Sequence, residues 1–61
     1  MNKLREFRLK KKWRQFDLAA KSGVTFSLIS PIELGYRPEL QTKEKLAKAL
    51  GVKVKDIWPE D

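Results

Sequence analysis

Between Leu4 and Trp58 the apolar residues recur at intervals of three and four, in short stretches separated by glycine, proline or clustered polar residues. Leu4 and Phe7, with Leu9 as a third candidate, lay a narrow apolar stripe between basic positions and predict a first helix over about residues 2–11. Residues 15–21 predict a second, with Leu18 and Ala19 inward, ending at Ser22-Gly23, where glycine takes the left-handed conformation that closes a helix. Thr25 heads the third, about residues 26–34, as an N-cap whose hydroxyl can accept from an early backbone N–H. The fourth runs from about residue 42 to 50, with Leu46, Ala47, Ala49 and Leu50 on its buried side, and stops at Gly51. The last stretch, "VKVKDIWP", alternates like a strand, but a lone strand would have no partner. It is therefore read as a helical turn with Val54, Ile57 and Trp58 inward.

Five helices with short connections predict an all-α bundle. Its expected core is Leu4, Phe7, Trp13, Leu18, Ala19, Val24, Ile29, Ile32, Leu46, Ala49, Leu50, Val54 and Ile57. At 61 residues the chain is expected to be one domain, with no repeat and no linker. Cysteine and histidine are both absent. That excludes disulfides, thiolate and imidazole metal ligands, and Ser-His or Cys-His nucleophiles. The acidic residues are scattered and no glycine-rich phosphate loop occurs, so neither an enzyme nor a metal or other cofactor is expected. No apolar run is long enough to span a membrane, and the N-terminus lacks the apolar core of a secretion signal, which predicts a cytoplasmic protein, nucleoid-associated if bacterial.

Charge sharpens the picture. The net charge is +6, and residues 1–21 hold eight basic side chains against Glu6 and Asp17, while the remainder of the chain is balanced. A positive field concentrated at one end of the sequence suits a polyanionic partner, although a solvated lysine-rich helix face would have the same composition.

The spacing around the second and third helices is more specific. Counted from Gln15 as the first position, Ala19 is fifth, Gly23 ninth and Ile29 fifteenth, with Leu18, Val24 and Ile32 at the other inward sites. A small side chain at Ala19 lets the next helix cross closely, Gly23 permits a tight turn, and Ile29 plugs the angle between the helices. These are the needs of a helix-turn-helix, here about residues 15–34.

Through "KLREFR", "QFDLAAKSGV", "ISPIELG", "KLAKALGV" and "DIW", in this order and spacing, the chain resembles the phage-repressor-like (Xre/Cro-type) helix-turn-helix family over nearly its whole length. The resemblance implies a five-helix, lambda-repressor-like domain whose third helix lies in the major groove of double-stranded DNA. By position it implies base contacts at Gln15, Phe26, Ser27 and Pro31, with Ser30 and Leu28 at the edge. Phosphate contacts fall on Arg14, Leu34, Tyr36 and Arg37, and Lys43 is placed with them by its charge. It also implies a structural pair, Arg8 with Glu33. Four departures stand out: Arg14 where an N-capping Ser or Thr is usual, Lys12 at a position suited to glycine with φ > 0, Phe16 at a usually polar site, and a loop at "YRPEL" about one residue short. Together they suggest an altered DNA-facing surface, an engineered member included.

The family spacing and the local chemistry disagree over Pro31. Taken alone, Ser30 to Glu33 reads as a helix start, with Pro31 at its first position and Glu33 closing a capping box. The family spacing instead sets Pro31 in mid-helix, and one bent helix over about residues 26–34 is expected. The expected partner is DNA, with no small-molecule ligand and no membrane, and the end of the chain just past the fifth helix suggests a monomer or weak homodimer. The alternative is a protein-binding adaptor or antitoxin-like module that uses Phe26, Leu28 and Tyr36.

Overall fold

A computed structural model describes residues 2–60. Five helices occur among them, α1 (Leu4–Lys10), α2 (Gln15–Ser22), α3 (Phe26–Glu33), α4 (Leu40–Leu50) and α5 (Val54–Ile57), with no strand. The all-α expectation holds, and "VKVKDIWP" does form a helical turn. Helix α2 is the hub, packing on both α3 and α4, while α1 lies on α3 and α5 on α4.

Leu4, Leu18, Ile29, Ile32, Leu46 and Ile57 are fully enclosed, one or two from each helix. Burying each such side chain contributes about 1.5–3 kcal/mol, which is how a chain this short sustains a core. Val24, Leu50, Ala19, Ala47 and Trp58 complete it. Four expected core residues, Phe7, Trp13, Ala49 and Val54, are only half-buried and line its edge. Leu9 points to solvent. On α4 it is Ala47, one position past Leu46 and three before Leu50, that faces inward, and Ala49 falls on the flank.

The helix ends explain most of the boundary differences. Asn2 Oδ1 accepts the Leu4 N–H at 2.9 Å, so α1 begins two residues after Asn2. The fourth helix starts at Leu40, two residues before the expected Thr42, with Glu39 extended just ahead of it. The Thr25 hydroxyl makes no cap bond, contrary to expectation. At Arg14, where the family has a capping hydroxyl, the arginine offers only donors; instead the Asp17 carboxylate reaches back to accept the Arg14 backbone N–H at 2.8 Å.

Lys12 occupies the left-handed region at φ 60°. The Lys12 and Trp13 N–H groups bond to the Leu9 and Arg8 carbonyls at 2.9 and 3.3 Å, the paired bonds of a Schellman closure with Lys12 in the slot glycine normally fills. Helix α3 closes the same way around Gly35, with Gly35 N–H on the Ile32 carbonyl and Tyr36 N–H on the Pro31 carbonyl.

Pro31 lies inside α3, which runs through it without a break at Ser30. The bond forfeited is the one to the Ser27 carbonyl. Ser27 and Pro31 are both exposed, so that carbonyl lies on the wet face of the helix, while Ile29 and Ile32 hold the opposite face in the core.

Candidate nucleic-acid interface

The helix-turn-helix geometry rests on the three positions that its spacing singled out. Ala19 is buried where α2 meets α3, Gly23 ends α2 at φ 76° with its N–H on the Ala19 carbonyl, and Ile29 is fully enclosed. The turn is fastened further by Ser22 Oγ, which accepts the Val24 N–H at 3.2 Å. With Ile29 and Ile32 buried, the outer face of α3 presents Phe26, Ser27, Ser30 and Pro31, all exposed, with Leu28 at its margin. Ser27, Ser30 and Pro31 are spaced i, i+3, i+4 and so share one side of the helix.

Behind this face sits a buried ion pair. The Arg8 guanidinium meets Glu33 through two of its three nitrogens, Nε to Oε2 at 2.6 Å and Nη2 to Oε1 at 3.2 Å. Its remaining arm donates to the Trp13 carbonyl at 2.8 Å, so Arg8 also holds the α1–α2 loop. The pairing of α1 with α3 that the resemblance implied is present, and its environment explains its form: a charge this deeply enclosed needs a bidentate partner and further hydrogen bonds. Gln15 joins the network, its amide Nε2 donating to Glu33 Oε1 at 3.1 Å. One amide hydrogen is thereby engaged, while the Gln15 carbonyl and second hydrogen stay available for a base edge. Asn2, which the sequence reading passed over, adds a second tie from its amide to the Ile32 carbonyl at 2.7 Å. No periodicity signals it, because the bond joins residues 30 apart, ahead of α1 and at the end of α3.

The candidate phosphate contacts fall at the start of α2, in the α3–α4 loop and on α4. Arg14 is exposed, its Nε 3.5 Å from Asp17. The Asp17 carboxyl is held below the usual carboxylate range, chiefly by the backbone N–H of Arg14, with the Arg14 guanidinium and Lys21 adding to it against an opposing desolvation. Leu34, Tyr36 and Arg37 are exposed in the loop from α3 to α4. Lys43 is half-buried, with its ammonium 5.4 Å above the Trp58 ring. Trp13 carries two cations, Lys11 at 5.7 Å and Lys21 at 5.3 Å, and Lys10 stands 5.0 Å over Phe7. These rings position ammonium groups that a purely solvated lysine face would leave unordered. Neither α2 nor α4 has a side-chain cap on its first N–H groups.

Phe16, noted only as a departure, turns out to matter. It is 63% exposed and meets Phe26, 52% exposed, in an edge-to-face contact with centroids 5.8 Å apart and planes at 65°. The first turns of α2 and α3 are thereby brought together at one surface, with Gln15 beside Phe16 and Ser27 beside Phe26. No group of acidic side chains able to hold a metal ion occurs among the described residues.

Comparison with known proteins agrees with this geometry. A family model described as helix-turn-helix matches residues 4–57. A curated protein of Methanocaldococcus jannaschii, described as an uncharacterized HTH-type transcriptional regulator, is 45% identical over 58 residues, covering 93% of this chain and 88% of that one. No solved structure matches significantly.

Proposed function

Because the chain belongs to the helix-turn-helix family, we infer that it is a transcription regulator that binds double-stranded DNA, with α3 set in the major groove and its outer face reading sequence. The observation that carries this reading is the division of α3: one face is locked to α1 and α2 by Ile29, Ile32 and the Arg8–Glu33 pair, and the other is left wholly exposed at the surface where the two helix starts meet. In this reading Phe26 and Pro31 favour the methyl-bearing edge of thymine, Ser27 and Ser30 make short hydrogen bonds, and Gln15 contributes its free carbonyl and N–H. Arg14, Tyr36, Arg37, Lys43 and the lysines at the end of α1 meet phosphates and fix register without specifying sequence. Such a single module buries about 600–1,000 Å² on DNA, which suits a monomer or weak homodimer acting by occupancy, in the cytoplasm or nucleoid. No chemistry is assigned to it.

The test is selection from a randomised duplex library at two salt concentrations. One enriched motif, with affinity falling at the higher salt, supports the reading; no enrichment refutes sequence specificity. Phe26→Ala should then relax preference at one or two base pairs, whereas Arg37→Ala should weaken all sequences alike and lower the salt slope by about one. The exposed apolar side chains Phe16, Phe26, Leu28 and Tyr36 favour a second reading, a protein-binding adaptor or antitoxin-like module, which predicts no salt-dependent affinity for DNA.

A further inference from the structure

The Phe16–Phe26 pair is an unusual feature for a charged, soluble surface. Two large rings, each more than half exposed, are held against each other across two helices. Neither is needed by the core, which Leu18, Ile29 and Ile32 already close. The contact favours one orientation of Phe26, because edge-to-face packing against Phe16 opposes rotation of a ring at the start of α3. What the pair offers a ligand is a rigid apolar ridge with no donor and no acceptor. In the major groove only one base-edge feature matches that chemistry: the methyl group on C5 of a pyrimidine.

That methyl is present on thymine and equally on 5-methylcytosine, and the two bases differ beside it, at an O4 acceptor or an N4 donor. The polar residues adjoining the ridge cannot reject either one. The Ser27 hydroxyl both donates and accepts, and so does the Gln15 amide. Nor is there an arginine or a carboxylate on the outer face of α3 to commit the site to one polar pattern. Resting on the DNA-binding reading above, we propose that Phe16 and Phe26 together form a reader of the pyrimidine C5 methyl group, one that accepts 5-methylcytosine as it accepts thymine, so that cytosine methylation raises the affinity of a site.

The test uses the duplex motif that the protein selects, synthesised with each pyrimidine in turn as thymine, uracil, cytosine or 5-methylcytosine. Within each comparison, thymine against uracil and 5-methylcytosine against cytosine, only one methyl changes. At the step facing the ridge both comparisons should show about a fourfold gain from the methyl, as expected for burying one such group. Phe26→Ala should abolish both gains, and Phe16→Ala should reduce both by loosening Phe26, with an unchanged helical circular dichroism spectrum verifying the fold of each variant. Salt-dependent binding to the motif with no methyl gain at any step would overturn this inference and leave the DNA-binding reading intact. A gain for thymine alone, or one that persists in both variants, would also overturn it. The absence of salt-dependent binding to any duplex would overturn the two together.

Discussion

Lys12→Gly should make this protein more stable, although it removes a side chain and adds none. Lys12 sits at φ 60° in the closing turn of α1, with its N–H on the Leu9 carbonyl at 2.9 Å and the following Trp13 N–H on the Arg8 carbonyl at 3.3 Å. These bonds, with the Arg8 guanidinium on the Trp13 carbonyl, fix the loop in this conformation whatever residue stands there. A side chain in the left-handed region costs about 1–2 kcal/mol through its Cβ, and glycine avoids that. Glycine returns roughly 0.5–1 kcal/mol through its greater freedom in the unfolded chain. At the middle of these ranges the net gain is about 0.5–1 kcal/mol, and for a domain of this size a gain of about 1 kcal/mol raises Tm by about 4–8 °C. Thermal melts followed by circular dichroism would measure it. Removing a cation from a chain of net charge +6 also relieves repulsion, so Lys12→Ala is the control: it loses the charge and keeps the strained backbone. If Lys12→Gly melts no higher than the parent, or if Lys12→Ala rises as much, the backbone argument is wrong.

The Arg8–Glu33 pair should show strong coupling. Arg8→Met strands a buried carboxylate and should cost about 3–5 kcal/mol, whereas Arg8→Met with Glu33→Leu should recover at least half of that loss in denaturant titrations; equal instability of the two would refute the charge argument. Asp17 predicts a pH dependence. Its folded pKa lies below the ordinary value of about 3.9, because the Arg14 backbone N–H binds the carboxylate, so its stabilisation is complete above that value and disappears as pH falls through the folded pKa. Melts from about pH 5 down to about pH 2 should therefore fall less steeply for Asp17→Asn than for the parent, and parallel curves would count against it.

Most of the core was legible because helical spacing and side-chain size constrain it twice over. Ala19, Gly23 and Ile29 could be assigned from spacing alone, since only small, left-handed-tolerant and apolar residues satisfy a helix-turn-helix at those points. What spacing could not resolve were choices between near-equivalent neighbours. Ala47 and Ala49, both read as inward, differ by two residues on one helix, and packing encloses Ala47 while leaving Ala49 on the flank. Thr25 misled because a hydroxyl says what a cap can do and not that it does it; at Arg14 the lost hydroxyl cap was legible, but the Asp17 carboxylate that takes up the Arg14 N–H, three residues on, was not. The Phe16–Phe26 contact lay beyond sequence reasoning because it joins two exposed positions that no periodicity links.

Helix α3 could not persist as an isolated peptide. It has eight residues, a proline at its sixth position, two β-branched isoleucines, no side-chain N-cap and no charged residue in its first turn, well short of the length at which an isolated helix holds in water. Everything that keeps it helical comes from outside it: Ile29 and Ile32 in the core, Arg8 on Glu33, Asn2 on the Ile32 carbonyl, and the turn at Gly35. Three of those supports converge on its last turn, and two of them come from α1 or the residues just before it. The exposed face of α3 is therefore supported from behind by α1 as well as by the core it shares with α2. If this face reads DNA, Asn2→Ala should weaken binding to all sequences alike without altering base preference, as measured on the selected motif and its single-base variants; a changed preference would refute the support argument. A recognition helix chosen for its outer surface, without regard to its own helix propensity, is tolerable only in a fold that supplies this support from behind.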